Sequence, residues 1–193
     1  MSLLIGFGNK ARHGKDSAAT AILEHIERRN LSIAKHYDRG YALPAQQFRF
    51  AEALYREARE LHDMTEKDAP LLQRIGAERR AENVNYWVDQ VFAGIDKFFA
   101  AQPHGVAIIT DVRYLNEAAR IKEAGGYLIN IARHNANGSL FVAPDRPADH
   151  PSEVELDGYN WDYYIRTRSG EQALAAELAI THFEYLRGLT DGR

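Results

Sequence analysis

The sequence contains no cysteine among its 193 residues. Disulfide bonds, thiolate metal sites and cysteine nucleophiles are therefore excluded. Long hydrophobic runs are also missing: the apolar stretch near the start covers only residues 3–5, whereas a bilayer span needs ~20 apolar residues. The same stretch is too short for the core of a signal peptide. We expect a cytoplasmic protein that has no membrane partner.

A large excess of charge of either sign is missing as well. The chain has 24 Lys and Arg against 27 Asp and Glu, a formal net charge of −3 at pH 7. Because nucleic-acid polymers are bound through surplus positive charge, this balance argues against such a partner and limits any positive site to a local cluster. Repeats, low-complexity tracts and long Gly/Ser linkers are absent too. We therefore expect residues 1–193 to form a single domain.

The hydrophobic pattern alternates short apolar runs with longer amphipathic stretches, which is typical of a parallel sheet covered by helices. It predicts strands at residues 3–7, 47–50, 106–109, 127–131 and 163–166. It predicts helices from Lys15 onward, around Pro70, and at residues 51–61, 86–99, 115–124 and 172–186. Residues 134–150 are irregular, and such a stretch is typical of a mobile functional loop. The fold class we predict is α/β.

A glycine- and lysine-containing loop separates the first predicted strand from the first predicted helix. It consists of Gly8, Asn9, Lys10, Ala11, Arg12, His13, Gly14, Lys15, Asp16 and Ser17. The usual phosphate-binding pattern is Gly, four residues, Gly-Lys, then Ser or Thr. Asn9 and Asp16 depart from this pattern, but the strand–loop–helix context agrees with it. We call residues 8–17 the phosphate loop.

The chemistry of phosphate binding explains why these residue types occur together. Backbone N–H groups of the loop and the helix start point into one concavity, where the helix dipole adds positive potential. Lys15 would reach the outer phosphates, and Asp16 or Ser17 would hold Mg²⁺ directly or through water. The alternative is a basic loop that binds no ligand, with Asp16 capping the helix.

A second candidate group follows the most apolar predicted strand. Asp111 and Arg113 stand at its carboxyl end, where ligands bind in open α/β sheets. The carboxylate would order the magnesium shell or position the attacking oxygen, and Arg113 would clamp a substrate phosphate. The alternative for Asp111 is a cap on the helix predicted at 115–124.

Several segments together resemble a known family over residues 3–168. They are Gly-Lys-Asp-Ser at 14–17, Phe-Ala-Glu-Ala-Leu at 50–54, Leu-Leu-Gln-Arg-Ile-Gly at 71–76, Asp-Val-Arg-Tyr-Leu-Asn-Glu at 111–117 and His-Pro-Ser-Glu at 150–153. In this order they resemble the deoxynucleoside monophosphate kinases of bacteriophages and some bacteria, which belong to the P-loop kinases. The resemblance implies a three-layer P-loop kinase-like fold, with a parallel sheet of about five strands and a lid insertion.

The resemblance also implies a reaction, the transfer of the γ-phosphoryl group of ATP to a deoxynucleoside monophosphate. The phosphate loop and Lys15 would hold ATP with Mg²⁺, while Arg113 and Arg80 would grip the acceptor phosphate. Asp111 would organise water, metal or acceptor. In the helices at about 50–100, the residues implied to line the acceptor pocket are Phe50, Gln73 and Trp87. Phe50 and Trp87 have an equal alternative as core residues.

The irregular stretch at about 134–150 would act as the lid of such an enzyme. Arg133, Arg146 and His134 would close over the transferring phosphoryl group and exclude water. The segment at 150–153 would either take part in chemistry or begin a helix, because Ser152 and Glu155 fit a capping box.

Other readings stay open at the level of the sequence. A P-loop kinase of another small phosphorylated metabolite, such as phosphomevalonate, shares the Gly-Lys-Asp loop. A nucleotide-binding switch without a phosphoryl acceptor would use the same scaffold. The sequence leaves open the base that is accepted, the choice between deoxyribose and ribose, and whether the chain forms a homodimer.

Overall fold

The computed structural model describes residues 1–34, 42–144 and 147–191. Within them, five strands form one parallel sheet: β1 (Leu3–Gly8), β2 (Ala45–Phe48), β3 (Val106–Val112), β4 (Tyr127–His134) and β5 (Tyr163–Arg168). Their order across the sheet is β2-β3-β1-β4-β5. The central strands β1 and β3 are almost entirely buried, as their unbroken apolarity predicts for a sheet covered on both faces.

Helices cover both faces of this sheet. They are α1 (Lys15–Ala34), α2 (Phe50–Leu61), α3 (Ala69–Glu82), α4 (Tyr86–Ala101), α5 (Leu115–Glu123), α6 (Pro151–Val154) and α7 (Gln172–Asp191). Apolar side chains of α1 and α7 form one core with the sheet, and those of α2 to α5 form the other. The three layers confirm the predicted α/β, P-loop kinase-like fold. None of the helices in the described ranges is long and apolar enough to cross a membrane.

The pairing of the two central strands positions the candidate site. β1 and β3 run parallel with Gly8 opposite Val112, so the residues that follow each strand lie side by side. Gly8 itself has no room for a side chain, since a β-carbon there would come within 2.1 Å of the Trp161 ring. The phosphate loop and Arg113 therefore leave the sheet at the same edge.

Several predicted boundaries differ from the structure. The strand predicted at 47–50 lies at Ala45–Phe48, and Phe50 is instead the first residue of α2, because its ring packs into the core with that helix. The last helix continues to Asp191 rather than ending at residue 186.

The segment predicted as a lid at 134–150 is also more ordered at its start than its composition indicates. β4 runs through Arg133 to His134, and His134 pairs with Leu140 in an antiparallel bridge. The segment ends at His150, the N-cap of the single-turn helix α6, which begins at Pro151. Arg146, a predicted lid residue, lies outside the described residues.

Candidate active site

A cavity of about 280 Å³ opens at the carboxyl ends of β1 and β3. It brings together the two groups that the sequence singled out, although they are about a hundred residues apart in the chain. The lining residues are Arg12, His13, Gly14, Lys15, Asp16, Ser17, Thr110, Asp111 and Arg113. Backbone groups of a loop and a helix start thus face a carboxylate and a guanidinium across one concavity.

The conformation of the phosphate loop explains the departure at its first glycine position. Asn9 has a positive φ of 104°, and asparagine is one of the residues enriched at positive φ after glycine. Its side-chain amide donates hydrogen bonds of 3.1 Å to Asn130 Oδ1 and to the carbonyl of Ile131, which fasten the loop to β4. Asn9 therefore supplies the turn that glycine usually supplies, with two tertiary contacts in addition.

Gly14 gives the loop its open concave side. Its φ is 94°, and a β-carbon built there would meet no atom within 4 Å. Gly14 lines the cavity, so this free space is space within the site. A phosphate group can approach the backbone there without a steric barrier.

Lys15, the first residue of α1, is the buried cation of the site. Its side chain is only 5% exposed, and Nζ donates to the carbonyl oxygens of Asn9 at 3.0 Å and Lys10 at 2.5 Å. Burial, and next the positive charge of Arg113, lower the pKa of Lys15 to about 7. An anion in the cavity would replace part of the lost hydration and raise this pKa again.

The oxygen atoms beside Lys15 fit a hydrated magnesium ion. Asp16 Oδ1 accepts a 3.0 Å hydrogen bond from Thr110 Oγ1 and forms a 2.8 Å ion pair with Arg49, and Ser17 is exposed at the cavity wall. Within the described ranges, no three His, Asp or Glu side chains converge as a dedicated metal cage. Mg²⁺ usually takes only one or two protein oxygens and completes its shell with phosphate and water, so this donor set is appropriate.

Asp111 caps a helix, but a different one from the helix that the sequence indicated. Its two carboxylate oxygens accept backbone hydrogen bonds from Phe50 at 2.9 Å and Ala51 at 2.8 Å, at the start of α2. The N-terminus of α5 is capped instead by Glu117, which accepts from the N–H groups of Arg113 and Tyr114. Burial raises the pKa of Asp111, and the two backbone hydrogen bonds act in the opposite direction.

Arg113 is held by the segment at 150–153. Its guanidinium forms a short ion pair with Glu153 Oε1 and lies 3.4 Å from the carbonyl of Ser152. The other carboxylate oxygen of Glu153 accepts a 2.7 Å hydrogen bond from the backbone N–H of Ala11 in the phosphate loop. One carboxylate therefore joins both halves of the site.

The capping box proposed for Ser152 and Glu155 does not form. His150 is the N-cap of α6, because its ring nitrogen accepts a 3.2 Å hydrogen bond from the N–H of Ser152. Glu155 instead accepts from the N–H of Leu115 at 2.8 Å. The segment is thus a helix start that also reaches the site through Glu153.

Lys10 is turned away from the cavity. Its ammonium group donates to the carbonyl of Glu153 at 2.5 Å and to Asp157 Oδ1 at 2.7 Å. The predicted contribution of Lys10 to phosphate binding is therefore limited to its backbone, while its side chain ties the loop to the region of α6.

His13 connects the phosphate loop to the segment after β4. The imidazole is 3% exposed, with Nε2 2.9 Å from the carbonyl of Phe141 and Nδ1 3.3 Å from the N–H of Arg133. Burial lowers the pKa of His13, which favours the neutral ring. A neutral ring that donates from Nε2 and accepts at Nδ1 satisfies these two contacts, and the carbonyl of Ile131 also lies 3.3 Å from Nδ1.

The side chain of Arg133 contacts the segments that follow β4 and β5. Its guanidinium lies over the Phe141 ring at 4.1 Å, and Nε donates to Ser169 Oγ at 2.9 Å. These contacts place the side chain beside the loop that follows β5, and Arg133 is not among the cavity-lining residues.

The other residues implied to bind the acceptor lie in three different environments. Phe50 and Trp87 are 5% and 3% exposed within the core, which is the alternative that the sequence left open for both. Gln73 is exposed on α3. Arg80 stacks over the ring of Tyr114 at 4.8 Å and donates to the carbonyl of Gly76. Tyr114 directly follows Arg113 in the chain.

Three polar residues that the sequence analysis did not assign also belong to this region. Thr110 lines the cavity, and Glu153 joins its two halves, as described above. Glu117 is buried beside them, and burial together with the charge of Asp111 raises its pKa to about 8. The segments at 111–117 and 150–153 contain both glutamates, so the resemblance contained a signal for them.

The five-stranded parallel sheet flanked by helices defines the class of this fold as α/β and P-loop kinase-like, and the cavity lies at the carboxyl edge of the sheet. In a comparison with curated proteins, it is 52% identical over 54 residues to a protein of Acanthamoeba polyphaga mimivirus named "Putative deoxynucleotide monophosphate kinase". The match covers 28% of this chain and 24% of the relative, so the chain spans about a quarter of that protein's length. No protein-family model matches the chain. The comparison supports a kinase relationship.

Proposed function

We propose that this protein is an ATP-dependent deoxynucleoside monophosphate kinase, which forms a deoxynucleoside diphosphate and ADP. The observation that carries the proposal is the single cavity in which Lys15 and the phosphate loop face Asp111 and Arg113. The similarity to the mimivirus protein supports the same reaction class. Phosphoryl transfer needs positioning and charge stabilisation more than covalent chemistry, and these residues supply both.

The donor half of the site comprises the phosphate loop and the start of α1. Backbone N–H groups around Gly14 and the ammonium of Lys15 would hold the phosphates of ATP, and Asp16 and Ser17 would hold Mg²⁺. ATP supplies the phosphoryl group, and Mg²⁺ supplies charge neutralisation on its oxygens. Lys15 is already oriented across the loop by the carbonyls of Asn9 and Lys10, so binding requires little rearrangement.

The acceptor half lies around β3 and α3. Arg113 lines the cavity and would bind the acceptor phosphate, with Arg80 beyond Tyr114 as a second cation on the same side. Asp111 fixes the start of α2 against the cavity and places a carboxylate near the positive charges of Arg113 and Lys15. A small phosphorylated nucleotide fits this arrangement, because its phosphate would bind to the arginine side chains.

The direct test is a substrate screen with purified protein, ATP and Mg²⁺. ADP release is followed with a coupled assay for each common deoxy- and ribonucleoside monophosphate, and products are identified by mass spectrometry. We expect a nucleoside diphosphate from at least one deoxynucleoside monophosphate, and loss of the reaction when EDTA removes Mg²⁺.

The same screen separates the competing functions. Phosphorylation of a non-nucleotide phosphometabolite, with none of the monophosphates accepted, would indicate the related small-molecule kinase. Slow ATP hydrolysis that no acceptor accelerates would indicate a nucleotide-binding switch. Either result would contradict the proposal.

A further inference from the structure

We propose that Glu153 is a positioning residue that holds the phosphate loop and Arg113 in register with each other; this inference rests on the proposed function. Its two carboxylate oxygens serve two different elements. Oε2 accepts the 2.7 Å hydrogen bond from Ala11, 142 residues away in the chain, and Oε1 pairs with Arg113, 40 residues away. A single side chain thereby sets the distance between the donor and acceptor halves.

The burial of Glu153 explains why its carboxylate needs the contacts with Ala11 and Arg113. The residue is 8% exposed, and a carboxylate with so little water needs hydrogen bonds and opposite charge around it. Hydrogen bonds that involve a charged group are the stronger ones, and removing one partner leaves the other unsatisfied. The Ala11 N–H and the Arg113 guanidinium meet this requirement together.

The backbone of Glu153 is fixed by a second set of contacts. His150 caps the helix turn that carries it, and Lys10 donates to its carbonyl while also pairing with Asp157. The phosphate loop is thus attached to α6 through Lys10 and through Ala11. Such support from a neighbouring element is what keeps binding groups within productive geometry.

Glu153 acts through other residues rather than on a ligand. It does not line the 280 Å³ cavity, and the space beside it, between Asn9 and Leu156, holds only about 10 Å³. That space admits no nucleotide. The effect of Glu153 on binding must therefore pass through the shape of the phosphate loop and the orientation of Arg113.

The test compares Glu153→Ala and Glu153→Gln with Glu155→Gln. Glu155 is a matched control, since it lies on the same short segment but bonds to Leu115 instead of the phosphate loop. Donor binding is measured by calorimetry with a non-hydrolysable ATP analogue and Mg²⁺. The KM for the acceptor, kcat and Tm are measured for every variant, and circular dichroism establishes that each is folded.

We expect Glu153→Ala to weaken binding of the ATP analogue about tenfold and to raise the acceptor KM about tenfold, the effect of losing one charge-assisted hydrogen bond in each half. Glu153→Gln keeps the shape of the side chain and one oxygen acceptor, so it can keep only one of the two contacts. The affinity for the ATP analogue and the acceptor KM should therefore change by different factors. Glu155→Gln should keep both near wild-type values.

A double variant identifies the route through Arg113. In an Arg113→Ala background, Glu153→Ala should still weaken donor binding by the same factor, but it should leave the acceptor KM unchanged because the partner is already gone. If the effects of Glu153→Ala and Arg113→Ala on the acceptor KM are additive, the proposed route through Arg113 is wrong.

Two outcomes separate this inference from the proposed function. Equal affinity of wild type, Glu153→Ala and Glu153→Gln for the ATP analogue would overturn the positioning role, whatever the acceptor is. A lower Tm with unchanged affinity and KM would do the same, because it would show a purely structural role. Absence of any monophosphate acceptor would overturn the proposed function while leaving the donor-binding comparison valid.

Discussion

Asp111 Oδ1, near the end of β3, accepts a 2.9 Å hydrogen bond from the backbone N–H of Phe50, the first residue of α2. The first N–H groups of a helix have no partner within the helix and carry partial positive charge. The carboxylate therefore fastens α2 to the edge of the sheet, beside the cavity. A residue of the candidate site thus also stabilises the element that flanks it.

We expect Asp111→Ala to lower the free energy of unfolding by about 1–2 kcal/mol, since a lost helix cap costs that much. Turnover should also fall strongly, because the carboxylate faces Lys15 and Arg113. Asp68→Ala is the matched control: Asp68 caps α3 through the N–H of Leu71 at 3.0 Å and does not line the cavity. It should lose comparable stability in urea denaturation but keep its ADP release. Wild-type turnover in Asp111→Ala would contradict the assignment.

Lys15→Ala should reduce turnover by at least about 100-fold, the effect typical of removing one group that stabilises transition-state charge. The fold should persist, because removing a buried ammonium also removes the cost of its desolvation. Lys97→Ala, a change at an exposed position of α4, is the control and should behave like wild type. Circular dichroism and the ADP-release assay report the two properties. Substantial residual turnover in a folded Lys15→Ala protein would rule out the site.

The low pKa of Lys15 predicts proton uptake when nucleotide binds. With a pKa of about 7, Lys15 is largely neutral in the free protein near pH 8, and phosphate oxygens would restore its charge. Affinity for an ATP analogue should therefore fall as the pH rises above about 7. Calorimetry in two buffers of different ionisation enthalpy measures the uptake, which should approach one proton. Lys15→Arg stays charged at this pH, so equal uptake in that variant would refute the explanation.

His13 should make stability depend on pH on the acid side. Burial lowers its pKa from 6.5, so below that pH the unfolded chain binds more protons than the folded one. The free energy of unfolding contributed by this group is thus complete above 6.5 and is lost as the pH falls toward the lowered pKa. Urea denaturation at a series of pH values should show this loss in the wild type and a smaller slope in His13→Gln. An unchanged slope would exclude His13 as its source.

Much of the fold was predictable because the pattern that encodes it is local. The apolar run at 106–109 indicates a strand buried on both faces, and the three- and four-residue spacing after Lys15 indicates an amphipathic helix. The boundary between β2 and α2 was misplaced because Phe50 is equally apolar in a strand or at a helix start. Its helical position follows from packing with α2, which local sequence does not report.

The candidate site was predictable in its parts more than in its contacts. The positions of Lys15, Asp111 and Arg113 beside one cavity agree with the rule that strand ends meet at one edge of a parallel sheet. The alternative role given to Asp111 was a cap on α5 rather than on α2, because sequence reasoning considers the next helix along the chain. Phe50 and Trp87 were equally compatible with a pocket or a core until their neighbours were placed.

By itself, the sequence determined that the chain forms a parallel α/β sheet, and it predicted a phosphate site in the first loop, because both depend on interactions within a few residues. Only the tertiary structure decided that Glu153 meets Ala11, that His13 is buried against Phe141, and that Lys10 turns toward Asp157. These pairs lie more than a hundred residues apart. Their contact depends on the packing of whole helices and strands, which no short segment of the chain encodes.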